Sequence, residues 1–286
     1  MSPTIKGVLL GLAGFGLFSV ADATIKFLGG SYHPVQIVAF AGLFTLPLIG
    51  LLWLTSRPSL IPRHPWLMLI RTLALIANSL LVTYAFTAMP LAEAYAIFFT
   101  LPLVLTLAAW PVLGDRVDAM GGVAVVLGLI GVILALNPGR VAFDIAHLAA
   151  VAGMLMAVVH YLIVRKVGEA ESSVVMLFWP ILATTVTAMA LLPGRSLPMP
   201  AADIATLASV SVTGMGGTLL MFAAYRAAPP VVVAPTQYSQ IAFAALFGAL
   251  FFDEPMTADT ALGMVVIALA GILVLARQDR SAPLPG

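Results

Sequence analysis

The chain contains two stretches of the same pattern, PLAEAYAIFFTLPLVLTLAAWPVLGDR at residues 90–116 and PPVVVAPTQYSQIAFAALFGALFFDEPM at residues 229–256. Laying Pro90 over Pro229 aligns the two stretches without a gap and pairs Phe99 with Tyr238. Each version begins with proline, continues through small residues to a polar patch, and follows an apolar run with an acidic residue. Self-similarity at a fixed spacing marks repeated units. The sequence therefore predicts two copies of one unit.

The composition of the chain places these units in a membrane. Hydrophobic residues make up 62% of the chain and charged residues only 9%. Soluble domains carry about 25% charged residues, so most of this surface is expected to face lipid. The net charge of +1 does not favour nucleic acid as a partner. The chain has no cysteine, which excludes disulfides and thiolate metal sites, and we expect neither a metal nor a cofactor.

Ten apolar runs approach the length of about 20 residues that a helix needs to cross a bilayer. They cover residues 6–28, 34–54, 67–88, 91–112, 119–136, 146–166, 173–192, 202–225, 230–251 and 258–276. The sequence predicts an all-α membrane protein of ten transmembrane helices in two inverted five-helix repeats. The predicted parts are the first repeat at 1–140, the second, inverted repeat at 141–276, and a short cytoplasmic tail at 277–286.

The inversion follows from the number of spans in each half. Five is odd, so the second half enters the membrane from the opposite side, as in transporters built from inverted repeats. Of the 13 Lys and Arg residues, all except Lys26, Arg140 and Arg195 fall on the side of the N-terminus. Because basic residues favour the cytoplasmic side, we expect both termini in the cytoplasm and a multi-pass protein of the inner membrane.

Polar residues of the first and third spans are candidates for function. Asp22 and Lys26 lie four residues apart on one helix face, either as a structural ion pair or with Asp22 at the mouth of a wet cavity. Arg71 opens the third span, either as an anchor that snorkels to the cytoplasmic surface or as a gate. Asn78 lies two turns deeper on the same face and is the better cavity candidate.

The fourth span combines an acidic start with a proline inside the helix. Glu93 lies in the first turn, where the helix dipole favours negative charge, so we expect it to stabilise the helix start. Pro102 has no N–H for the carbonyl of Phe98 and predicts a kink near Tyr95 and Phe99.

The ninth span carries its own polar patch with Pro235, Gln237, Tyr238 and Gln240. The two glutamines share a helix face, and since lipid offers no hydrogen bonds, they bind another helix or line a cavity. The cavity is favoured because Pro235 loosens the same turn. The prolines of the fourth and ninth spans are not equivalent in the repeat alignment, so we expect the two helices to kink at different heights.

The candidate site is predicted near the membrane midplane between spans one, three, four, six and nine. His160 of the sixth span is either a proton carrier or a hydrogen-bonded packing residue. The predicted substrate-binding residues are Asp22, Asn78, Tyr95, Phe99, His160, Gln237, Tyr238 and Gln240. The predicted gating or structural residues are Lys26, Arg71, Glu93, Pro102 and Pro235.

Several stretches resemble one family: ADATIKFL in the first span, LIRTLALIANSL leading to YAFTAMPLAEA, and the two repeated stretches. They are similar to the paired signatures of the drug/metabolite transporter superfamily, specifically its EamA-type branch. The resemblance covers nearly the whole chain. It implies ten spans, cytoplasmic termini, and transport of a small organic solute such as an amino acid, a nucleotide-like metabolite, riboflavin, S-adenosylmethionine or a drug.

We therefore expect a secondary transporter that moves a small organic metabolite across the inner membrane by alternating access. The polar residues suit an amphipathic or zwitterionic solute, amino-acid-like or nucleoside- or vitamin-like, and export is favoured over import. A channel would need a continuous polar stripe, and a membrane-embedded enzyme would need paired carboxylates or a histidine cluster. No catalytic residue is predicted. The expected partners are the solute and the lipid bilayer, with the chain a monomer or a homodimer.

Overall fold

The computed structural model describes residues 3–113, 119–136, 144–167, 170–228 and 233–280, and it is helical throughout, with no strand in these ranges. A 310 helix, Ala234–Tyr238, lies between the ninth and tenth α-helices. The α-helices are α1 Pro3–Gly29, α2 Pro34–Ser56, α3 Pro65–Ala88, α4 Leu91–Phe98, α5 Leu101–Leu113, α6 Ala119–Leu136, α7 Ile145–Val167, α8 Ser173–Leu191, α9 Ala201–Ala227, α10 Ser239–Phe251 and α11 Ala258–Arg280. α11 thus runs to Arg280, into the predicted tail, and the predicted boundary at residue 140 lies outside the described residues.

Local sequence signals explain where several helices begin. His33 accepts a hydrogen bond from the N–H of Val35 through Nδ1 at 3.2 Å, and Pro34 occupies the first helical position of α2. Ser172 caps α8 in the same way, since its Oγ accepts from the N–H of Val175 at 3.2 Å. α2 ends at Arg57, which adopts a left-handed conformation (φ 43°). Side-chain caps and prolines therefore set these boundaries.

Seven stretches of the described chain are long and apolar enough to cross a membrane, namely Thr4–Gly29, Pro34–Thr55, Pro65–Ala88, Leu91–Ala109, Ile145–Val167, Val174–Leu191 and Ala201–Ala227. Two shorter apolar helices, Val125–Leu136 and Ala258–Leu273, accompany them. Large apolar side chains such as Leu51 and Leu250 are about two-thirds exposed, which suits a lipid-facing surface. The chain is a multi-pass membrane protein, and the full set of ten spans stays a prediction.

The helices form two compact units, each of which takes helices from both halves of the sequence. The first unit comprises Met1–Ser19, Pro90–Asp144 and Gly216–Gly286. The second comprises Val20–Met89 and Ile145–Met215. α1 and α9 are divided between the two units. The elements that repeat in the sequence are therefore interleaved in space within each unit.

In the second unit, α2 packs against α8, its counterpart in the repeat alignment. Gln36, near the start of α2, pairs its side-chain amide with the backbone of Leu197 beyond the end of α8, at 2.7 and 2.9 Å. Trp179, near the start of α8, donates Nε1–H to the carbonyl of Leu60 beyond the end of α2 at 2.7 Å. The two equivalent helices therefore run antiparallel.

In the first unit, α6 packs against α11, which is likewise its counterpart in the repeat alignment. Thr260 at the start of α11 donates Oγ1–H to the carbonyl of Ala135 at the end of α6, at 3.1 Å. A Cβ added at Gly263 would lie 2.3 Å from the backbone nitrogen of Ala135, a separation that only glycine permits. This pair is therefore also antiparallel and in backbone contact.

Two further glycines make contacts that the repeat alignment relates to each other. A Cβ added at Gly14 of α1 would lie 3.2 Å from Met221 Cγ of α9. A Cβ added at Gly153 of α7 would lie 2.9 Å from Val82 Cγ2 of α3. Gly153 corresponds to Gly14 and Met221 corresponds to Val82, so the same pair of positions is in contact in both units.

Candidate functional site

The fourth apolar stretch is broken in the middle. α4 ends at Phe98 and α5 begins at Leu101, with Phe99 and Thr100 forming a turn between them. The N–H of Phe99 bonds the carbonyl of Tyr95 at 2.9 Å, whereas the N–H of Thr100 bonds the carbonyl of Ile97 at 3.1 Å in a tighter turn. Pro102, which has no N–H, follows at once. The chain breaks at Phe99 and Thr100, just before Pro102, where the sequence predicted a kink.

The ninth apolar stretch breaks at the equivalent position. Its 310 helix begins next to Pro235 and ends at Tyr238, where α10 takes over at Ser239. Tyr238 is the counterpart of Phe99, so the expectation of kinks at different heights is wrong. The two irregular segments lie at the same level although their prolines do not. Pro102 follows Phe99 by three residues, whereas Pro235 precedes Tyr238 by three residues.

Aromatic rings from the two breaks contact each other. Tyr95 and Phe99 stack with centroids 5.5 Å apart and planes at 6°. Phe99 meets Tyr238 edge to face at 5.6 Å. Gln240 directs Nε2 to Tyr95 Oη at 3.5 Å, and its side chain is buried. Four predicted site residues from distant parts of the sequence, Tyr95, Phe99, Tyr238 and Gln240, thus form one cluster, which we call the aromatic cluster.

Two hydroxyls at the aromatic cluster have no protein partner in the described part of the chain. Among the described residues, nothing hydrogen-bonds the buried Oη of Tyr238 or the buried Oγ of Ser239. Tyr238 reaches towards Gly271 of α11, where an added Cβ would lie 1.4 Å from its Oη. A buried hydroxyl without a partner lowers stability by about 1–3 kcal/mol. Both hydroxyls therefore keep unused hydrogen-bonding capacity.

Two other predicted residues of the first unit neighbour this cluster in sequence. Gln237 is half-buried on the 310 helix, one residue before Tyr238. Glu93 is half-buried in the first turn of α4. A carboxylate at that position interacts favourably with the helix dipole, as expected for a residue that stabilises a helix start.

Arg71 lies inside the second unit rather than at its surface. Its side chain is only 4% exposed. NH1 donates to the backbone carbonyl of Met176 at 2.5 Å, and Pro180, four residues later in α8, has no N–H for that carbonyl. The interpretation of Arg71 as a snorkelling anchor is wrong, because the guanidinium points inwards to a carbonyl that a proline leaves free. Pro180 was the sequence signal for this bond.

Asn78 and His160 lie on the facing helices α3 and α7. Asn78 donates its side-chain amide to the carbonyl of Gly153 at 2.8 Å, so part of its hydrogen-bonding capacity ties the two helices together. His160 meets Tyr161 edge to face at 4.8 Å. Its buried Nδ1 has no hydrogen-bond partner in the described part of the chain.

The helix ends of the second unit are joined by polar contacts. Lys26, predicted as a partner of Asp22, donates Nζ–H to the carbonyl of Met89 at 2.8 Å and so connects the end of α1 to the end of α3. Tyr32 donates its hydroxyl to the carboxylate of Asp203. This hydrogen bond, followed by burial and the negative charge, raises the pKa of Tyr32. Asp22 is half-buried on α1.

Besides the Tyr32–Asp203 hydrogen bond, sequence reasoning missed the contact between Glu171 and His64. Glu171, between α7 and α8, has a buried side chain that accepts the backbone N–H of His64 at 2.7 Å and lies 3.6 Å from His64 Nδ1. It borders a cleft of about 250 Å³ lined also by Arg63 and Ser172. The only signal was a lone acidic residue in a short loop, which is usually solvated.

Known proteins resemble this chain over nearly its full length. The S-adenosylmethionine uptake transporter of Rickettsia felis is 25% identical over 289 residues, which cover 98% of this chain and 97% of that protein. The pseudopaline exporter CntI of Pseudomonas aeruginosa is 24% identical over 271 residues, covering 93% and 95%. The human solute carrier family 35 member G1 is 24% identical over 274 residues, covering 90% and 75%.

A solved structure and a family model also match this chain. One solved crystal structure superimposes with a TM-score of 0.68 at 18% identity, covering 96% of this chain and 99% of the other, which shows a shared fold. Residues 5–137 and 144–277 each match the EamA-like transporter family. The match confirms the resemblance to the drug/metabolite transporter superfamily and identifies a transporter rather than an enzyme. The chain belongs to the EamA-like transporter family.

Proposed function

We propose that this protein is a secondary transporter that moves a small organic metabolite across the inner membrane by alternating access. The observation that carries the proposal is the pair of helix breaks at equivalent residues, whose rings meet where Phe99 contacts Tyr238. Broken helices from two repeats form substrate sites in secondary transporters because their irregular turns leave polar backbone groups inside the protein. The antiparallel packing of α2 with α8 and of α6 with α11 supports an inverted repeat.

The aromatic cluster supports a substrate with both apolar and polar parts. Tyr95, Phe99 and Tyr238 offer ring faces and edges, while Gln240 and the hydroxyl of Tyr238 offer hydrogen bonds. Such a mixture suits an amphipathic or zwitterionic solute. The relatives named for S-adenosylmethionine uptake and pseudopaline export agree with a small solute. The exporter supports export from the cell, and the uptake transporters support the opposite direction.

Transport is tested with purified protein in liposomes. S-adenosylmethionine and the common amino acids are supplied as labelled solutes, and uptake and efflux are measured in vesicles of both orientations. A carrier shows saturation and counterflow, whereas a channel shows neither. A linear concentration dependence without counterflow for every transported solute would refute alternating access.

The site is tested by truncating side chains of the ninth span. Tyr238→Ala and Gln237→Ala should lower the transport rate without lowering the amount of folded protein in the membrane. Phe251→Ala is the matched control, because Phe251 lies at the end of α10 and is 66% exposed. Glu93→Gln should have a smaller effect than Tyr238→Ala if Glu93 only stabilises its helix start. Unchanged affinity and rate in Tyr238→Ala and Gln237→Ala would place the substrate elsewhere.

Orientation is tested by phosphatase fusions. With both termini proposed to be cytoplasmic, a fusion after residue 286 should be inactive and a fusion at residues 137–140 active. Both positions lie outside the described residues. The reverse pattern would overturn the proposed orientation.

A further inference from the structure

No described acidic residue of the second unit forms an ion pair with the buried side chain of Arg71. The side chain is 4% exposed, and NH1 uses the carbonyl of Met176 and the sulfur of Met68 (3.8 Å) as acceptors. The buried Nε has no hydrogen-bond partner among the described residues, and no described Asp or Glu forms an ion pair with the guanidinium. Arginine stays protonated in proteins, so a full positive charge is buried here while its buried Nε–H stays unused.

His160 lies at the same level of the interface as Arg71. α3 and α7 pack together, and the Asn78–Gly153 hydrogen bond fixes their register. Arg71 is seven residues before Asn78, and His160 is seven residues after Gly153. The charge of Arg71 acts on His160, which requires α3 and α7 to run antiparallel. Since seven residues make two turns, both side chains lie about 10 Å from that bond, on facing sides.

Two nitrogens without partners in the described part of the chain thus share one buried level of α3 and α7: Arg71 Nε and His160 Nδ1. A buried cation is unfavourable unless an anion or several hydrogen bonds compensate it. The carbonyl of Met176 supplies one such bond, and an anionic group would supply the missing charge. A carboxylate has the geometry that a guanidinium recognises with two parallel hydrogen bonds.

We propose that Arg71 and His160 bind the carboxylate of the transported solute. The proposal rests on the function proposed above and narrows the substrate class to solutes that carry a carboxylate. One guanidinium and one imidazole match a monoanion rather than a polyphosphate. Met176 holds the guanidinium in place through NH1, which leaves Nε for the ligand.

The first test measures thermal unfolding of the purified full-length protein with sodium propionate or propionamide at constant ionic strength. Propionate should raise the Tm of the wild type, whereas neutral propionamide should not. Arg71→Gln should weaken the apparent affinity for propionate about tenfold, the effect of losing one charge-assisted hydrogen bond. Arg71→Lys, which keeps the charge but not the two parallel hydrogen bonds, should weaken it less. Equal shifts by propionate and propionamide, or an unchanged propionate response in Arg71→Gln, would overturn the proposal.

Arg195→Gln is the matched control. Arg195 also donates NH1 to a backbone carbonyl, that of Leu191 at 2.6 Å, but its side chain is exposed. The propionate response should be unchanged in this variant. A loss as large as that in Arg71→Gln would show a general charge effect and overturn the assignment.

The second test supplies the anion within the chain and needs no ligand. His160→Glu should have a higher Tm than His160→Gln when Arg71 is present, and it should abolish the propionate response. In the Arg71→Gln background, the order should reverse, because the new carboxylate then lacks a cation. If His160→Glu lowers the Tm equally in both backgrounds, no uncompensated cation faces position 160 and the proposal fails.

Transport assays separate the two proposals. If a solute shows counterflow at equal rates in the wild type and Arg71→Gln, the carboxylate site fails while the transporter stands. If propionate binds through Arg71 but no solute shows counterflow, the site stands and the proposed function fails.

Discussion

Gly271→Ala tests whether the position of Tyr238 against Phe99 matters for transport. Gly271 lies in α11, and a Cβ added there would lie 1.4 Å from Tyr238 Oη and 2.6 Å from Tyr238 Cζ. Ordinary van der Waals contact begins at 3.4 Å, so the hydroxyl overlap is about 2.0 Å, the difference between 3.4 and 1.4 Å. The ring must move by a similar distance, away from its edge-to-face contact with Phe99.

The expected energies follow from this geometry. Overpacking a buried contact lowers stability by about 1–3 kcal/mol, and we expect about 2 kcal/mol for Gly271→Ala. Tyr238→Phe removes the hydroxyl, which reduces the overlap to about 0.8 Å, the difference between 3.4 and 2.6 Å. It also removes a buried hydroxyl without a described partner, which should stabilise the protein by about 1 kcal/mol. The double variant should therefore recover more than half of the lost stability.

The assay combines thermal unfolding in detergent with transport in liposomes for the wild type, both single variants and the double variant. Gly271→Ala should lower the Tm and the transport rate, and adding Tyr238→Phe should restore the Tm. Gly122→Ala serves as the control, because an added Cβ there has no neighbour within 4 Å. The reasoning is refuted if Gly271→Ala behaves like Gly122→Ala, or if Tyr238→Phe brings no recovery of the Tm.

Three further predictions concern the packing and the polar contacts. Gly263→Ala should lower stability by about 2–3 kcal/mol because its Cβ would meet the backbone of α6 at 2.3 Å, whereas Gly122→Ala should be neutral or gain up to about 1 kcal/mol in chemical unfolding. Pro180→Ala supplies an N–H to the carbonyl that Arg71 binds, so the destabilisation by Arg71→Gln should shrink by about 1 kcal/mol in that background, and an unchanged value would contradict the capping role. Tyr32→Phe should lower the Tm equally at pH 6 and pH 8, because the raised pKa of Tyr32 keeps its hydroxyl protonated at both. The Tm difference between wild type and variant should vanish only as the pH rises above 10, the ordinary pKa of tyrosine. A Tm difference that is already lost between pH 6 and pH 8 would contradict the hydrogen bond.

The aromatic cluster shows how far sequence reasoning reached into the site. Tyr95, Phe99, Tyr238 and Gln240 were predicted together because repeat alignment and proline chemistry marked both stretches as interrupted. The height of each break was predicted wrongly. A proline frees a carbonyl before it and can also start a tightened turn after it, and only the fold decides which side breaks.

Arg71 shows where sequence reasoning ended. Its place near a helix start favoured a snorkelling anchor, since a long cationic side chain usually reaches water from there. Its acceptor is the carbonyl of Met176 in α8, far along the chain, which Pro180 leaves without a helical N–H. Spacing alone could not show which side chain would bind that carbonyl. Tyr32 with Asp203 and Glu171 with His64 were missed for the same reason.

The sequence by itself determined the environment, the helical class and the repeat. These depend on composition and on patterns that each segment carries locally, because apolar runs of about 20 residues, in a chain with 9% charged residues, satisfy their own backbone in lipid as helices. The tertiary structure alone decided that α2 lies against α8 and α6 against α11, and which buried donors of the described chain remain without partners. Those outcomes depend on contacts between segments from different halves of the sequence, where backbone approach at a glycine or a carbonyl freed by a proline selects the neighbour.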